Sequence, residues 1–216
     1  MKRNLSDTDR TRLDKHISET EKLTGAQIVL ATVRRSDSYA EIPWIAFAFG
    51  ASLASLVTIL LHLFVLGWLT ETLIFFTVPV ILITGAIFAL LTILCPGFAR
   101  LFLSAHRKET ETMQYAESLF LSRELFSTEG RRGILLLVSQ FERQVVIVPD
   151  RGVRDLLSEE VLKKVISDMT DHLRRNELRE AMETGLGGIQ AALGSPPPGW
   201  TGKNELSDEI IEEEGI

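Results

Sequence analysis

Two apolar runs, 42–70 and 72–99, dominate this chain, and Glu71 between them is the only Asp, Glu, Lys or Arg from Ile42 to Ala99. A helix needs about 20 apolar residues to cross a hydrocarbon core roughly 30 Å thick, and each run supplies them with a few to spare. Thirteen Leu, Ile, Val or Phe residues stand between Ile45 and Leu66, and fifteen between Leu73 and Leu94. At roughly −0.3 to −0.6 kcal/mol each, the first set alone contributes about −4 to −8 kcal/mol to insertion. That outweighs the polar Ser52, Ser55, Thr58 and His62. Burying two such helices inside a soluble protein would require a jacket on every side, which the rest of the chain is too short to provide. The runs therefore read as a transmembrane hairpin, with spans at about 44–66 and 73–95.

Removing 42–99 leaves 158 residues of ordinary soluble composition, enough for one modest core. The chain's net charge of −6 is concentrated at its end, where Glu205, Asp208, Glu209, Glu212, Glu213 and Glu214 face only Lys203. The remainder is close to neutral, so nothing points to nucleic acid as a partner. Cys95 is the sole cysteine, which rules out an intrachain disulfide. The polar stretch 1–12 lacks the apolar region of a cleavable signal.

Basic residues flank the hairpin at Arg34, Arg35, Arg100, Arg107 and Lys108, whereas the connection around 67–72 has none. By the positive-inside rule both termini lie in the cytoplasm, as in a two-span bacterial inner-membrane protein. Trp44 and Trp68 suit the two interfaces of the first span. Ala46, Gly50 and Ala54, with Gly85 and Ala89 in the second run, stand four apart and allow close helix approach in lipid. That spacing fits packing of the two spans together and, as a second use, a homo-oligomeric seam. His62 is the one titratable group at depth; a hydrogen-bonded or interfacial role and a proton relay are both open to it.

Outside the hairpin, helix and strand signals alternate. Ser6 is placed to cap a helix that carries Leu13 and Ile17 and ends at Thr24-Gly25. A buried strand follows over 26–33. After Pro96-Gly97 a helix is predicted over 107–126, then two β runs, 134–139 and 144–148, spaced as a hairpin. Ser158 caps a strongly periodic helix bearing Val161, Leu162, Val165, Ile166, Met169 and Leu173. A last helix spans 177–193, and the acidic tail 195–216 is expected to be disordered. One helix and one strand cannot fold alone, so 1–41 must join 100–194 in a discontinuous cytoplasmic α/β domain. Its strand 26–33 would pair with the later strands through a crossover into which the hairpin is inserted.

Three stretches resemble the TPM domain family. They are 21–29, with Glu21, Thr24 and Gln27 ahead of Ile28 and Val29; 131–139, with Arg131, Arg132 and Gly133 leading a strand; and 143–153, with Asp150, Arg151 and Gly152 turning out of the next. Together with a closing segment at 184–189, the resemblance covers about 1–41 and 107–194. It implies a small mixed sheet flanked by helices. Family members have been assigned acid phosphatase activity, divalent-metal binding and roles in photosystem or membrane-protein maintenance. This chain differs from the usual pattern of a C-terminal anchor, since its membrane segment interrupts the domain.

Asp150 is the leading candidate for a metal-facing carboxylate, because it follows a strand at the sheet's end, where α/β sites lie. Ca²⁺ or Mg²⁺ needs several oxygens; Asp155 is near in sequence, and Asp37 or Glu41 follow the parallel strand. The competing role for Asp150 is to cap the short helix that starts near Gly152. A phosphatase also needs a nucleophile or a metal-activated water. His16, His62, His106 and His172 show no ligand spacing, and Ser139 reads as a turn residue. Two functions follow: a non-catalytic accessory or scaffold module that binds a membrane or cytoplasmic protein, with or without a divalent cation, and a metal-dependent phosphatase at the bilayer surface.

Overall fold

The computed structural model describes residues 5–66, 71–196, 198, 204–206 and 210–215. It separates into two compact units, one formed by Met1–Asp37 with Lys108–Ile216 and the other by Ser38–Arg107. The first is the discontinuous α/β domain. Its helix α1 (Asp7–Thr24) opens with the Ser6 hydroxyl accepting from the Asp9 N–H, and ends at Gly25, whose φ of 68° is the left-handed conformation glycine adopts without strain. Strand β1 (Gln27–Arg35) follows directly.

In the second unit, α2 (Ile42–Leu61) runs on into a π-helical turn (His62–Leu66) and is followed by α3 (Glu71–Leu94). Among the described residues, Ile42–Phe64 and Phe75–Leu94 are long and apolar enough to cross a membrane, and only 11% of each is buried. The small residues act between these two helices. A Cβ on Gly50 would meet Phe88 at 2.7 Å, and one on Gly85 would meet Phe47 at 2.9 Å. A short α4 (Pro96–Ala99) then closes a ring of phenylalanines, with centroids 6.0 Å apart for Phe49–Phe88, 5.7 Å for Phe88–Phe98, 5.4 Å for Phe98–Phe102 and 5.9 Å for Phe49–Phe102. Their tilted and edge-on geometry is the one the ring quadrupoles favour. His62 Nδ1 is shielded from solvent and has no hydrogen-bond partner among the described residues. Trp68 and most of the expected connection at 67–72 lie outside the described residues.

The chain returns to the first unit through α5 (Ala105–Ser122), which ends four residues earlier than its sequence suggests. Glu124 takes a φ of 52°, and Leu125 turns inward to be buried. Next come β2 (Gly133–Ser139), β3 (Gln144–Pro149), α6 (Arg151–Arg154), α7 (Glu159–Arg174) and α8 (Leu178–Leu193). β1 pairs parallel with β2, and β2 antiparallel with β3, so the two parallel strands are joined across the inserted helices.

The tail departs from expectation. Ile211–Gly215 forms β4, which pairs parallel with β1 and gives the strand order β3-β2-β1-β4. Charge density suggests disorder, but Ile210 and Ile211 supply apolar contacts that a net-charge argument overlooks. Ile210 enters one core cluster and Ile211 packs against the other.

Both sheet faces are covered, which is why the strands read as continuous apolar runs. Ile28, Leu30, Ile134, Leu136 and Val138 face α1, α7 and α8 through Leu13, Ile17, Met169 and Met182. Val29, Ala31, Val33, Leu135 and Leu137 face α5 through Ala116, Leu119 and Phe120.

Candidate functional site

Because β3 runs antiparallel, its end lies beside the amino ends of β1 and β2. Asp150 is there, its N–H donating to the Gly133 carbonyl at 2.9 Å. Asp37 lies beyond the other end of nine-residue β1, roughly 30 Å away. The expectation that Asp37 could join Asp150 therefore fails on strand direction. Asp150 is 4% exposed: its Oδ1 accepts the Arg151 N–H at 2.7 Å, as the cap of α6, and Arg131 Nη2–H at 3.1 Å, while Oδ2 lies 2.8 Å from Arg131 Nε as an ion pair without hydrogen-bond geometry. Asp155 ends the same short helix and is exposed. Glu41 pairs with Arg107 at 2.6 Å in the other unit. No group of three or more His, Cys, Asp or Glu side chains that could hold a metal occurs among the described residues. At this corner the Asp150 carboxylate is already ion-paired with the Arg131 guanidinium, a pair that a divalent cation would have to displace.

The neighbouring motif residues satisfy backbone groups. Arg132 donates from Nε to the Gly25 carbonyl at 2.8 Å and from Nη2 to the Thr24 carbonyl at 3.0 Å, closing the end of α1. Its burial lowers the guanidinium pKa. Glu21 accepts the Ile28 N–H at 2.7 Å, and Thr24 Oγ1 the Ala26 N–H at 3.3 Å.

At the opposite end of the parallel pair lies a buried polar cluster. The Ser139 hydroxyl donates to Glu142, whose other oxygen accepts the Ser36 N–H at 2.9 Å. Ser36 Oγ lies 3.1 Å from Ser139 Oγ and 3.4 Å from Thr112 Oγ1. A hydroxyl bonded to a carboxylate is the start of a nucleophile–base pair. Here Ser139 is 0% and Glu142 2% exposed, so the pair is sealed from any substrate and acts as a polar joint between strand ends. A shallow groove of about 160 Å³ lined by Gln140, Arg143, Leu173, Asn176 and Leu178 lies where α7 turns into α8. Its size is below the roughly 300 Å³ of a typical small-molecule site. His172 beside it pairs with Glu177 at 2.8 Å.

The outer edge of β1 is where this unit holds an extended peptide. The buried Gln27 side chain accepts the N–H groups of Glu205 at 2.7 Å and Leu206 at 3.0 Å. Further along, Ala31, Thr32, Val33 and Arg35 are in register with Ile211, Glu212, Glu213 and Gly215. Alternation sends Glu212 to Arg10 on α1, and Glu213 to Arg123 at 3.1 Å and the Tyr115 hydroxyl on the α5 side. Sequence reading missed Gln27, Arg10, Tyr115 and Arg123 as a set, because they are distant in the chain. The paired isoleucines before a run of acids were the available signal.

Burial, and the Glu213 carboxylate that accepts from it, push the Tyr115 phenol above its ordinary range. A raised phenol pKa favours the fold below the unfolded value near 10, and that contribution is lost as pH rises through the folded value. In an alkaline titration followed by tyrosinate absorbance, Glu213→Gln is expected to bring Tyr115 ionisation to lower pH. Tyr115→Phe identifies the signal against the one remaining tyrosine, Tyr39.

Curated protein sequences yield no match. The NMR structure of BA42 protein from the psychrophilic bacterium Bizionia argentinensis is similar in fold, with a TM-score of 0.57 at 12% identity, covering 98% of this chain and 97% of that one. The TPM domain family model matches residues 101–192. That segment begins after the apolar helices and supplies β2 and β3 with the helices around them, while β1 and β4 complete the sheet from outside it. Over residues 101–192 the chain carries a TPM domain.

Proposed function

We propose that this protein is a two-span integral membrane protein that holds its TPM domain at the cytoplasmic face as a non-catalytic module for binding other proteins. The binding reading is carried by the β1 edge, where buried Gln27 and the cations Arg10 and Arg123 engage an extended segment through main-chain and side-chain contacts. Strand addition of this type is a common way for a domain to bind proteins. The bilayer reading is supported by two helices whose Leu, Ile and Phe side chains are largely exposed, Phe64 at 81% and Phe75 at 79% among them. Water would penalise that surface at about 25 cal/mol per Å².

A paired reporter fusion following Ile216, active on only one side of the membrane, tests the orientation. Cytoplasmic signal alone is expected, and reversing the five flanking cations to Glu should weaken or invert it. External signal from the wild-type fusion would refute the inward-facing arrangement.

A further inference from the structure

The β1 edge carries more information than a generic strand contact. Its occupant, β4, is paired at four positions, against seven between β1 and β2. It consists of Ile211, three glutamates and Gly215, and glutamate and glycine are depleted in strands. What holds it is side-chain readout on alternate faces. Ile210 enters the core beneath α1, and Ile211 packs against the cluster under α5. Glu212 meets Arg10, and Glu213 meets Arg123 and Tyr115. The edge therefore selects two adjacent apolar residues followed by two carboxylates, upstream of which Gln27 grips two main-chain N–H groups.

We propose that this edge is a strand-addition site for a partner protein's extended segment with that apolar-apolar-acidic-acidic pattern, and that β4 is an internal occupant exchanged for it on binding. The inference rests on the protein-binding reading and adds the chemistry of the partner. An internal strand has the high effective concentration of a tethered ligand, so it protects an edge that would otherwise pair indiscriminately. It yields only to a segment that reproduces its contacts.

The test uses the full chain in detergent and a fluorescent peptide with the sequence of residues 204–216. In the Glu212→Lys, Glu213→Lys double variant the chain's own strand loses both ion pairs. Anisotropy is expected to show the peptide binding at least tenfold more tightly than to wild type. Hydrogen exchange should show 211–215 released while 134–138 stay protected. Arg10→Glu with Arg123→Glu in the otherwise wild-type chain should repel its own Glu212 and Glu213, reject the acidic peptide and create binding of a peptide with Lys at both positions, whereas combining all four changes should restore the internal strand and exclude the lysine peptide. Continued protection of 211–215 in the double variant overturns the proposal, as does absence of peptide binding once they exchange freely. Equal binding of acidic and lysine peptides overturns it too. Metal-dependent turnover would defeat the broader non-catalytic reading without altering any of these binding results, so the two failures are distinguishable.

Discussion

Replacing Glu142 with alanine is expected to destabilise the α/β unit by about 2–6 kcal/mol, because two buried donors lose their acceptor at once and each costs about 1–3 kcal/mol unsatisfied. The donors are the Ser36 N–H and the Ser139 hydroxyl, and both residues are buried. At roughly 2–4 °C per kcal/mol for a chain of this size, thermal unfolding by circular dichroism should shift down by roughly 4–24 °C. Glu142→Gln is the informative companion, since its carbonyl oxygen can still accept the Ser36 N–H. It should recover most of the loss. If alanine and glutamine behaved alike, the carboxylate's geometry would not be what joins the ends of β1 and β2.

An effect of similar size is expected at Gly152, for a steric reason. A Cβ there would sit 2.0 Å from the Gly130 carbonyl oxygen and 2.7 Å from that of Arg131. Neither contact is with a flexible side chain that could move aside, so the turn carrying Asp150 and Arg131 must be displaced. Gly152→Ala should cost about 3 kcal/mol, the upper end for overpacking, and should loosen the Arg131–Asp150 pair. Gly187 in α8 is the control: nothing lies within 4 Å of its Cβ position. There, alanine should stabilise by about 0.5–1 kcal/mol through helix propensity. Denaturant unfolding of the three chains under one detergent condition checks both signs.

These two sites also show what could be read from residues alone. The parallel pairing of β1 with β2 was legible because two apolar runs with turn signals around them cannot remain unpaired, and the inserted helices were legible from length and hydropathy. The TPM motif was legible as order and spacing, but its residues do not indicate their roles. Arg131 and Asp150 pair with each other, Arg132 caps α1, and Gly152 makes room for two carbonyls. Sequence reading placed Asp150 where ligands bind in parallel sheets. The antiparallel course of β3, already implied by the hairpin spacing of 134–139 and 144–148, puts it at the other end. β4 was missed for a different reason. Its Glu212 and Glu213 are paired with Arg10 and Arg123, which lie 202 and 90 residues away along the chain.

The proposed binding role makes no use of a metal at Asp150. The most direct measurement is therefore titration of the purified full chain with Ca²⁺ and with Mg²⁺, together with phosphate-ester turnover, in wild type and Asp150→Ala. The expected result is no saturable metal binding and no turnover that distinguishes the two proteins, although Asp150→Ala melts lower for want of its cap and ion pair. Saturable metal binding, or turnover present in wild type and lost in Asp150→Ala, would contradict the account and make this corner a catalytic centre.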